Sequence, residues 1–594
     1  MSTNHEELNP VLTSILSNRV DGIVREMSNT LMRTARSAVI NSARDFSCCI
    51  VTGQNELLAV AEGLPVHIFG TDMQTRSMTE LHPDMAEGDC YLHNDPYSGN
   101  THAADHAFMV PVFYEGEHLF TAVAKAHQAD CGNSLPTTYM AVAKDVYNEG
   151  SLIFPATRIQ RDYKMVNDVV RMMERRIRVP EQWYGDFLAG ISAARVAEKR
   201  LIEMCQKYGK DVVKRFIATW LDYSEKRMIR AIEKLPKASL KNTGRHDSTA
   251  FLPEGVALQV KIDVLPESGK IQIDLRDNPD NVDCGYNQSQ ATATSSVLAG
   301  LFNSLEGDIP KNAGSFRRVE VLLREGCVTG IPKFPHSCSV ATTNISDRMV
   351  NITGAAFAQL GDGYGIAEGG LGPGIGMAVI GGKDPRYNND DFVNQIHLCT
   401  NGGPASPFAD GWVTYGIPVV AGLMYRDSVE VDELKHPIEI KRLELMQGAG
   451  GAGKYRGAPG SLLEFGIKSQ SMTLMYPGDG QETSPKGVRG GLDGQLAERW
   501  HIRGSGEKIK LPNAAQIEMK GADRVIGVDC SGGGYGSPLE REPKRVLNDV
   551  LELYETQERA EQIYGVILTG DIYNDTLQVD FSATEKRRRE LASS

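Results

Sequence analysis

Two runs of residues at the ends of one candidate hairpin carry the side chains best suited to chemistry. Residues 107–114 and 118–127 are β-rich and are split by Glu115-Gly116-Glu117, which reads as a hairpin turn. With the turn at Gly116, antiparallel pairing sets Asp105 opposite His127 and brings His102 near Asp130. A slip of one residue changes the partners, but the same end of the hairpin still gathers all four. Two imidazoles and two carboxylates at one spot suit a divalent cation with mixed nitrogen and oxygen ligands, and Zn²⁺, Mn²⁺ and Fe²⁺ all fit. With an open position, such a cation would lower the pKa of a bound water and make a nucleophile near neutral pH. The competing reading is that these groups cap turns and pair with one another.

Histidine is unevenly spread. Of 13 histidines, seven fall between His67 and His127. That concentration says where metal or acid-base chemistry is to be sought.

The elements that must position these groups follow from periodicity. Apolar residues from Val11 to Leu31 recur at helical spacing behind Pro10, predicting a helix to about Ala38. Short strands are expected over 46–52, 57–61 and 88–92. The middle reads as three helices, over 165–178, 181–208 and 211–235, with Leu188, Ile191, Ala194, Val196 and Leu201 as core positions. A β pattern resumes over 256–275, helices over 290–305 and 346–360, and from Gly361 the chain is Gly-rich and β-like. Two helices, 546–553 and 556–564, close it.

The fold class expected is mixed α/β, multi-domain, with mixed sheets. The divisions expected are 1–160, an α/β region with the hairpin; 161–245, a helical segment; 246–430, an α/β domain; and 431–594, a Gly-rich β domain with C-terminal helices.

Composition excludes several classes of function. Hydrophobic residues make up 41% and charged residues 23% of the 594, an ordinary soluble mix. The net charge of -13 argues against a nucleic-acid surface, and the basic run from Lys586 to Arg589 reads as a solvated end. No apolar stretch approaches a membrane span, and no signal peptide is visible in Met1 to Asn9. Ten scattered cysteines without a Cys-x-x-Cys pair read as reduced thiols in a cytoplasm.

Other motifs are weaker. Gly448 to Lys454 fits a phosphate-loop pattern, but Tyr455 stands where Ser or Thr is needed and Pro459 spoils the following helix. ATP binding is rejected there, and the stretches 369–376 and 532–534 read as tight turns. No Gly-x-Ser-x-Gly elbow is present, and Cys131 reads as a spectator thiol.

Seven motifs in order give the chain a kinship. Arg44-Asp45-Phe46-Ser47, Pro65-Val66-His67, Asn94-Asp95-Pro96-Tyr97, Thr101-His102-x-x-Asp105, Ala126-His127-x-Ala129-Asp130, Glu149-Gly150 and the Gly532 to Arg541 segment together resemble the hydantoinase B family. That family includes B subunits of ATP-dependent hydantoinases, domains of 5-oxoprolinase, caprolactamase-type lactam hydrolases and subunits of acetone and acetophenone carboxylases. The resemblance runs from about Pro10 to about Leu568.

The resemblance implies a two-protein enzyme. A separate A-type ATPase subunit would phosphorylate an amide, imide or enol oxygen, and this B-type chain would finish the reaction with a metal-bound water. By motif, the metal ligands would be Asp45, His102, Asp105 and His127, with zinc or manganese as the metal. Asp130 and Asp95 would orient the histidines or act as general base, and His67 and Asn94 would form the substrate wall. ATP would be used by the partner, with no cofactor-binding residues here. The expected assembly is a cytoplasmic hetero-oligomer acting on a cyclic amide, with no nucleic acid and no membrane. Two alternatives stand beside it: a ketone carboxylase subunit, whose acetone-type relatives tend to be longer, and a non-catalytic scaffold, against which the intact His/Asp set argues.

Overall fold

Strand alternation decides how the first sheet is covered. A computed structural model describes residues 7–60 and 63–593 of the chain. Its first sheet comprises β1 (Phe46–Thr52), β2 (Leu57–Val60), β3 (Cys90–His93), β4 (Asp105–Tyr114), β5 (Glu117–His127), β6 (Thr157–Arg161) and β7 (Lys164–Met165). The spatial order is β2-β1-β5-β4-β3-β6-β7, and every pairing in it is antiparallel. Cys48, Ile50, Phe108, Val110, Ala122 and Ala124 face one core with the helices Pro10–Thr34 and Pro180–Tyr208. Their alternates Cys49, Val51, Ala107, Met109 and Val123 face a second core. Both faces are apolar because both are covered.

The second core is shared with β8 (Ala238–His246), β9 (Val256–Leu265), β10 (Lys270–Asp274) and β11 (Val319–Leu322), and with the helices Gln290–Phe302 and Ile345–Phe357. The β10–β11 pair is parallel. Two antiparallel sheets follow. One has the order β13-β12-β16-β19, from β12 (Val379–Asp384), β13 (Asp390–Gln395), β16 (Ser471–Pro477) and β19 (Ala514–Lys520). The other has the order β14-β15-β20-β17-β18, from β14 (Ile438–Leu445), β15 (Ser461–Ile467), β17 (Glu498–Ile502), β18 (Lys508–Lys510) and β20 (Arg524–Val528). The fold is mixed α/β and multi-domain, as expected.

Local differences have local causes. The first helix stops at Thr34 because Ala35 turns extended, and a separate turn, Ala38–Asn41, follows. Ala61, the expected end of β2, lies outside the described residues. Leu188, expected in the core, is 38% exposed, and Val196 is only half-buried. The helix buries instead the stripe through Phe187, Ile191, Ala194, Ala197 and Leu201. The basic C-terminal run is helical, Phe581–Ser593, and Arg588 donates to the carbonyls of Tyr564 and Arg541.

The glycine-rich stretches are not merely turns. A Cβ on Gly532 would sit 1.9 Å from the Gly403 carbonyl oxygen, and one on Gly457 would sit 1.9 Å from that of Gly532. These glycines let backbone pack directly on backbone. Gly190 serves the same end on a helix, since a Cβ there would fall 2.2 Å from the buried Phe108 ring. Gly190→Ala is expected to destabilise the protein by about 1–3 kcal/mol through overpacking, read as a lowered midpoint in chemical denaturation.

No helix among the described residues is long and apolar enough to cross a membrane.

Candidate metal centre

The hairpin closes on Glu115 and Gly116, both with positive φ (50° and 75°), the backbone that a two-residue turn of matching twist requires. Pairing then runs back to Asp105 opposite His127, the register the sequence predicts, despite one bulge between Val112 and Phe113. Two further segments meet this end. The Asn100 amide donates to the His102 and Asp105 carbonyls, each at 2.8 Å, fixing the loop that presents His102. The Asp45 carbonyl accepts from the His127 N–H at 3.1 Å, so the start of β1 is tied to the same corner.

Three donor atoms converge there. His102 Nε2 is 2.9 Å from Asp105 Oδ1 and 3.2 Å from His127 Nδ1, and His127 Nδ1 is 3.1 Å from Asp105 Oδ1. All three residues are at most 1% exposed. Asp105 Oδ2 accepts a short hydrogen bond from the Thr101 hydroxyl and lies 3.2 Å from His67 Nε2. His67 Nε2 is in turn 3.6 Å from Asp45 Oδ1, and its Nδ1 faces the Ser47 hydroxyl at 3.3 Å.

The far sides of the rings are also held. His102 Nδ1 lies 2.8 Å from the Ser339 carbonyl oxygen, and His127 Nε2 lies 3.0 Å from the Thr138 hydroxyl. A carbonyl only accepts, so His102 Nδ1 carries the proton. In a neutral ring Nε2 is then a bare lone pair facing a carboxylate oxygen. That arrangement is repulsive unless a proton or a cation sits between them.

Electrostatics agree. Burial favours neutral His102, but the Asp105 charge and hydrogen bond, with the Ser339 carbonyl, push its pKa above the ordinary value. Burial also works against the Asp105 carboxylate, yet His102 and His67 hold it well below the usual range. Burial pushes Asp45 up.

Other expected site residues are placed differently. Asp45 stays outside the three converging donors, with His67 Nε2 3.6 Å from Asp45 Oδ1 and 3.2 Å from Asp105 Oδ2. His67 is therefore inside the polar centre rather than on its wall. Asp130 turns away: it accepts from the Gly132 N–H at 2.9 Å and pairs with Arg178 at 3.1 Å. Asp95 caps its own turn, accepting from the Tyr97 N–H at 3.0 Å and the Ser98 hydroxyl at 2.6 Å. These contacts tie both carboxylates into loop structure. The Asn94 amide bridges the Ala103 and Leu152 carbonyls at 2.8 and 2.9 Å, which makes it a brace for the His102 loop.

Sequence reasoning missed Thr101, Thr138, Tyr139 and Ser339. Thr101 adjoins His102 and could have been found as a hydroxyl beside a ligand motif. Tyr139 stacks on His127 and His102 with ring centroids 5.3 and 6.1 Å apart. Ser339 arrives from more than two hundred residues away, and no local pattern announces it.

A model of the hydantoinase B/oxoprolinase family matches residues 9–538. The chain belongs to that family. Among its relatives, the beta chain of the caprolactamase of Pseudomonas jessenii is 28% identical, over 98% of this chain and 99% of that protein. The B component of a putative D-/L-hydantoinase of Pseudomonas sp. (strain NS671) is 27% identical over 99% of each. The crystal structure of the ATP-dependent caprolactamase from Pseudomonas jessenii superposes with a TM-score of 0.88 at 26% identity, covering 98% of this chain and all of that one. A nucleotide-free acetone carboxylase chain shares the fold, with a TM-score of 0.85 at 17% identity over 98% and 83% of the two chains. Within this hydantoinase B fold, the Gly448 to Lys454 stretch is followed by irregular backbone and not by a helix, so no helix dipole points at a phosphate there.

Proposed function

We propose that this hydantoinase B chain is the B-type subunit of an ATP-dependent amidohydrolase that opens a cyclic amide or imide. ATP is spent on a separate A-type subunit. The family and the names of the caprolactamase and hydantoinase relatives support this reading. The observation that carries it is the convergence of His102 Nε2, His127 Nδ1 and Asp105 Oδ1, with the His102 proton committed to Ser339.

That donor set fits a divalent cation, zinc or manganese, held by His102, Asp105 and His127, with Asp45 and His67 beside it. When bound, the cation would supply Lewis acidity and a more acidic water. The chain's own residues do the rest. Thr101 fixes the second oxygen of Asp105, so the carboxylate presents one oxygen to the cluster. Burial keeps bulk water out. His67 Nε2, 3.2 Å from Asp105 Oδ2 and 3.6 Å from Asp45 Oδ1, faces two acceptor oxygens and holds both carboxylates in place.

Phosphorylation of the amide oxygen by the partner turns a poor electrophile into an attackable carbon and leaves phosphate as a good leaving group. The test is co-expression with an A-type partner, then ATP with caprolactam, hydantoin, 5-oxoproline, or a ketone with labelled bicarbonate. Ring-opened product is expected. Label retained in a carboxylated product would overturn the hydrolase reading.

Thr138→Val removes the group that holds His127 Nε2. It should weaken metal affinity by about 10–100-fold, measured by competition with a chelating dye.

A further inference from the structure

A second wall stands over the histidine cluster, built by β13 and its continuation. After Gln395 the backbone stays paired: the Ile396 N–H donates to the Ala378 carbonyl at 3.0 Å and the Leu398 N–H to the Gly376 carbonyl at 2.9 Å. Extended chain alternates, so Val393, Gln395 and His397 share one face. Ile396 and Leu398 point into the core between the last two sheets. Val393 belongs to the core on the first sheet that also holds Tyr139, Ala107 and Met109. Gln395 and His397 therefore stand on the side of the metal centre. Gln395 lies beside Tyr139, and Tyr139 stacks on His127. His397 lies within electrostatic reach of His127.

Both side chains are buried and underused. His397 is 2% exposed, and neither ring nitrogen has a partner among the described residues. Gln395 is 1% exposed; its side-chain Nε2 donates to the Met377 carbonyl at 3.3 Å, and its Oε1 has no partner among the described residues. Burying such groups unsatisfied is costly, and apolar residues would fill the wall without that cost. His397 is nevertheless pinned: its N–H donates to Asp427 Oδ2 at 2.9 Å and its carbonyl accepts from the Asp427 N–H at 2.8 Å. The same segment is anchored beside Asp45, with Arg44 over the Tyr425 ring at 3.8 Å. His397 does not join the converging donor atoms of His102, Asp105 and His127.

An unpaired donor and an unpaired acceptor on one strand face call for a ligand that offers both. A small ring forces an amide cis, which places its C=O and N–H on one edge, whereas an open-chain amide is trans. Burial pushes the His397 pKa down to about 3, so the ring is neutral and keeps one N–H to donate.

We propose that Gln395 and His397 read the cis edge of the cyclic amide, His397 donating to the amide oxygen and Gln395 Oε1 accepting from the amide N–H. This rests on the amidohydrolase reading above and adds to it the element that selects the substrate. Phosphorylation at oxygen turns the amide into a lactim phosphate whose ring nitrogen has lost its proton, so the Gln395 contact reads the cyclic amide before activation.

The test uses the full chain and ligand-observed NMR titration with ε-caprolactam, hydantoin and their N-methyl derivatives, in which the N–H is blocked. The wild type should bind one parent at least about tenfold more tightly than its N-methyl form. Gln395→Met should reduce that preference below threefold, and Gln395→Glu, which keeps an acceptor oxygen, should retain it. His397→Leu should weaken binding of both forms about tenfold with unchanged metal content. Equal binding of parent and N-methyl forms by the wild type, no binding of any of them, or an undiminished preference in Gln395→Met would overturn the proposal. A preference that is present while the partnered enzyme opens no ring would support edge reading and remove only the hydrolase reading.

Discussion

His127→Ala is expected to abolish turnover, by roughly 10³-fold or more, the scale on which loss of a transition-state stabiliser falls. The residue sits at the last rung of the β4–β5 hairpin, so its removal leaves the register of the other rungs intact. What disappears is one of three converging donor atoms and the partner of the Thr138 hydroxyl. The fold should persist, with circular dichroism and a cooperative melt like those of the wild type. Metal content measured by mass spectrometry should fall in parallel with activity. His106 provides the contrast. It is one residue from Asp105 and fully buried, but it faces the helix-covered side of the sheet, edge-on to Phe154 with centroids 6.3 Å apart. His106→Leu should alter stability while metal and turnover remain. Wild-type activity in His127→Ala, or metal loss in His106→Leu, would take the chemistry away from this end of the hairpin.

That contrast shows which parts of the site were legible in the sequence. A two-residue turn and two arms of nearly equal length fix a register, so Asp105 and His127 could be paired from local pattern alone. The same logic sets Asp130 near His102, and in the fold its carboxylate pairs with Arg178. Gly132 adopts φ +79° and swings the chain toward Arg178, a partner that lies 48 residues on. His67 was underrated for a related reason. It stands on the four-residue helix Pro65–Ile68, too short to show a period, and its place between Asp45 and Asp105 is set by tertiary packing. Ser339, Gln395 and His397 reach the site from distant segments, and the contacts that place them leave no trace in local spacing. Element types were easier than edges. Long helices announced themselves through 3.6-residue periodicity, but Leu188 belongs to a periodic series and still faces outward. The glycine stretches read as turns because sequence shows flexibility; only the assembled backbone shows how closely Gly403, Gly457 and Gly532 stack.

The largest stability effect should come from Arg348. Its guanidinium is 1% exposed and lies between two carboxylates, with Nε 2.8 Å from Asp479 Oδ2 and Nη2 3.4 Å from Asp247 Oδ1. It also donates to the Thr483 carbonyl at 3.0 Å. Arg348 belongs to the helix Ile345–Phe357, Asp247 follows β8, and Asp479 follows β16, so one side chain fastens three elements. Arg348→Ala strands two buried carboxylates, and about 3–5 kcal/mol of stability should be lost. Arg348→Lys should recover part of it, because a point charge replaces a two-pronged donor. Acidity gives an independent check. Burial works against the Asp479 carboxylate, but Arg348 and His246 hold its pKa below the usual carboxylate range. A depressed folded pKa contributes stability that is present above the unfolded value, about 3.9, and is lost as pH falls through the folded value. Burial and the Asp479 charge raise Asp247, which offsets part of that dependence. Without Arg348 both carboxyls should shift upward, so protonation would favour the folded variant. The gap between wild type and Arg348→Ala should therefore narrow as pH falls from 7 toward 4, measured by urea unfolding at each pH. A gap that stays constant would mean that the two acids do not depend on Arg348 for their charge. The same helix begins just after the segment whose Ser339 carbonyl orients His102, so a variant that loosens its start should also lose metal affinity before it unfolds.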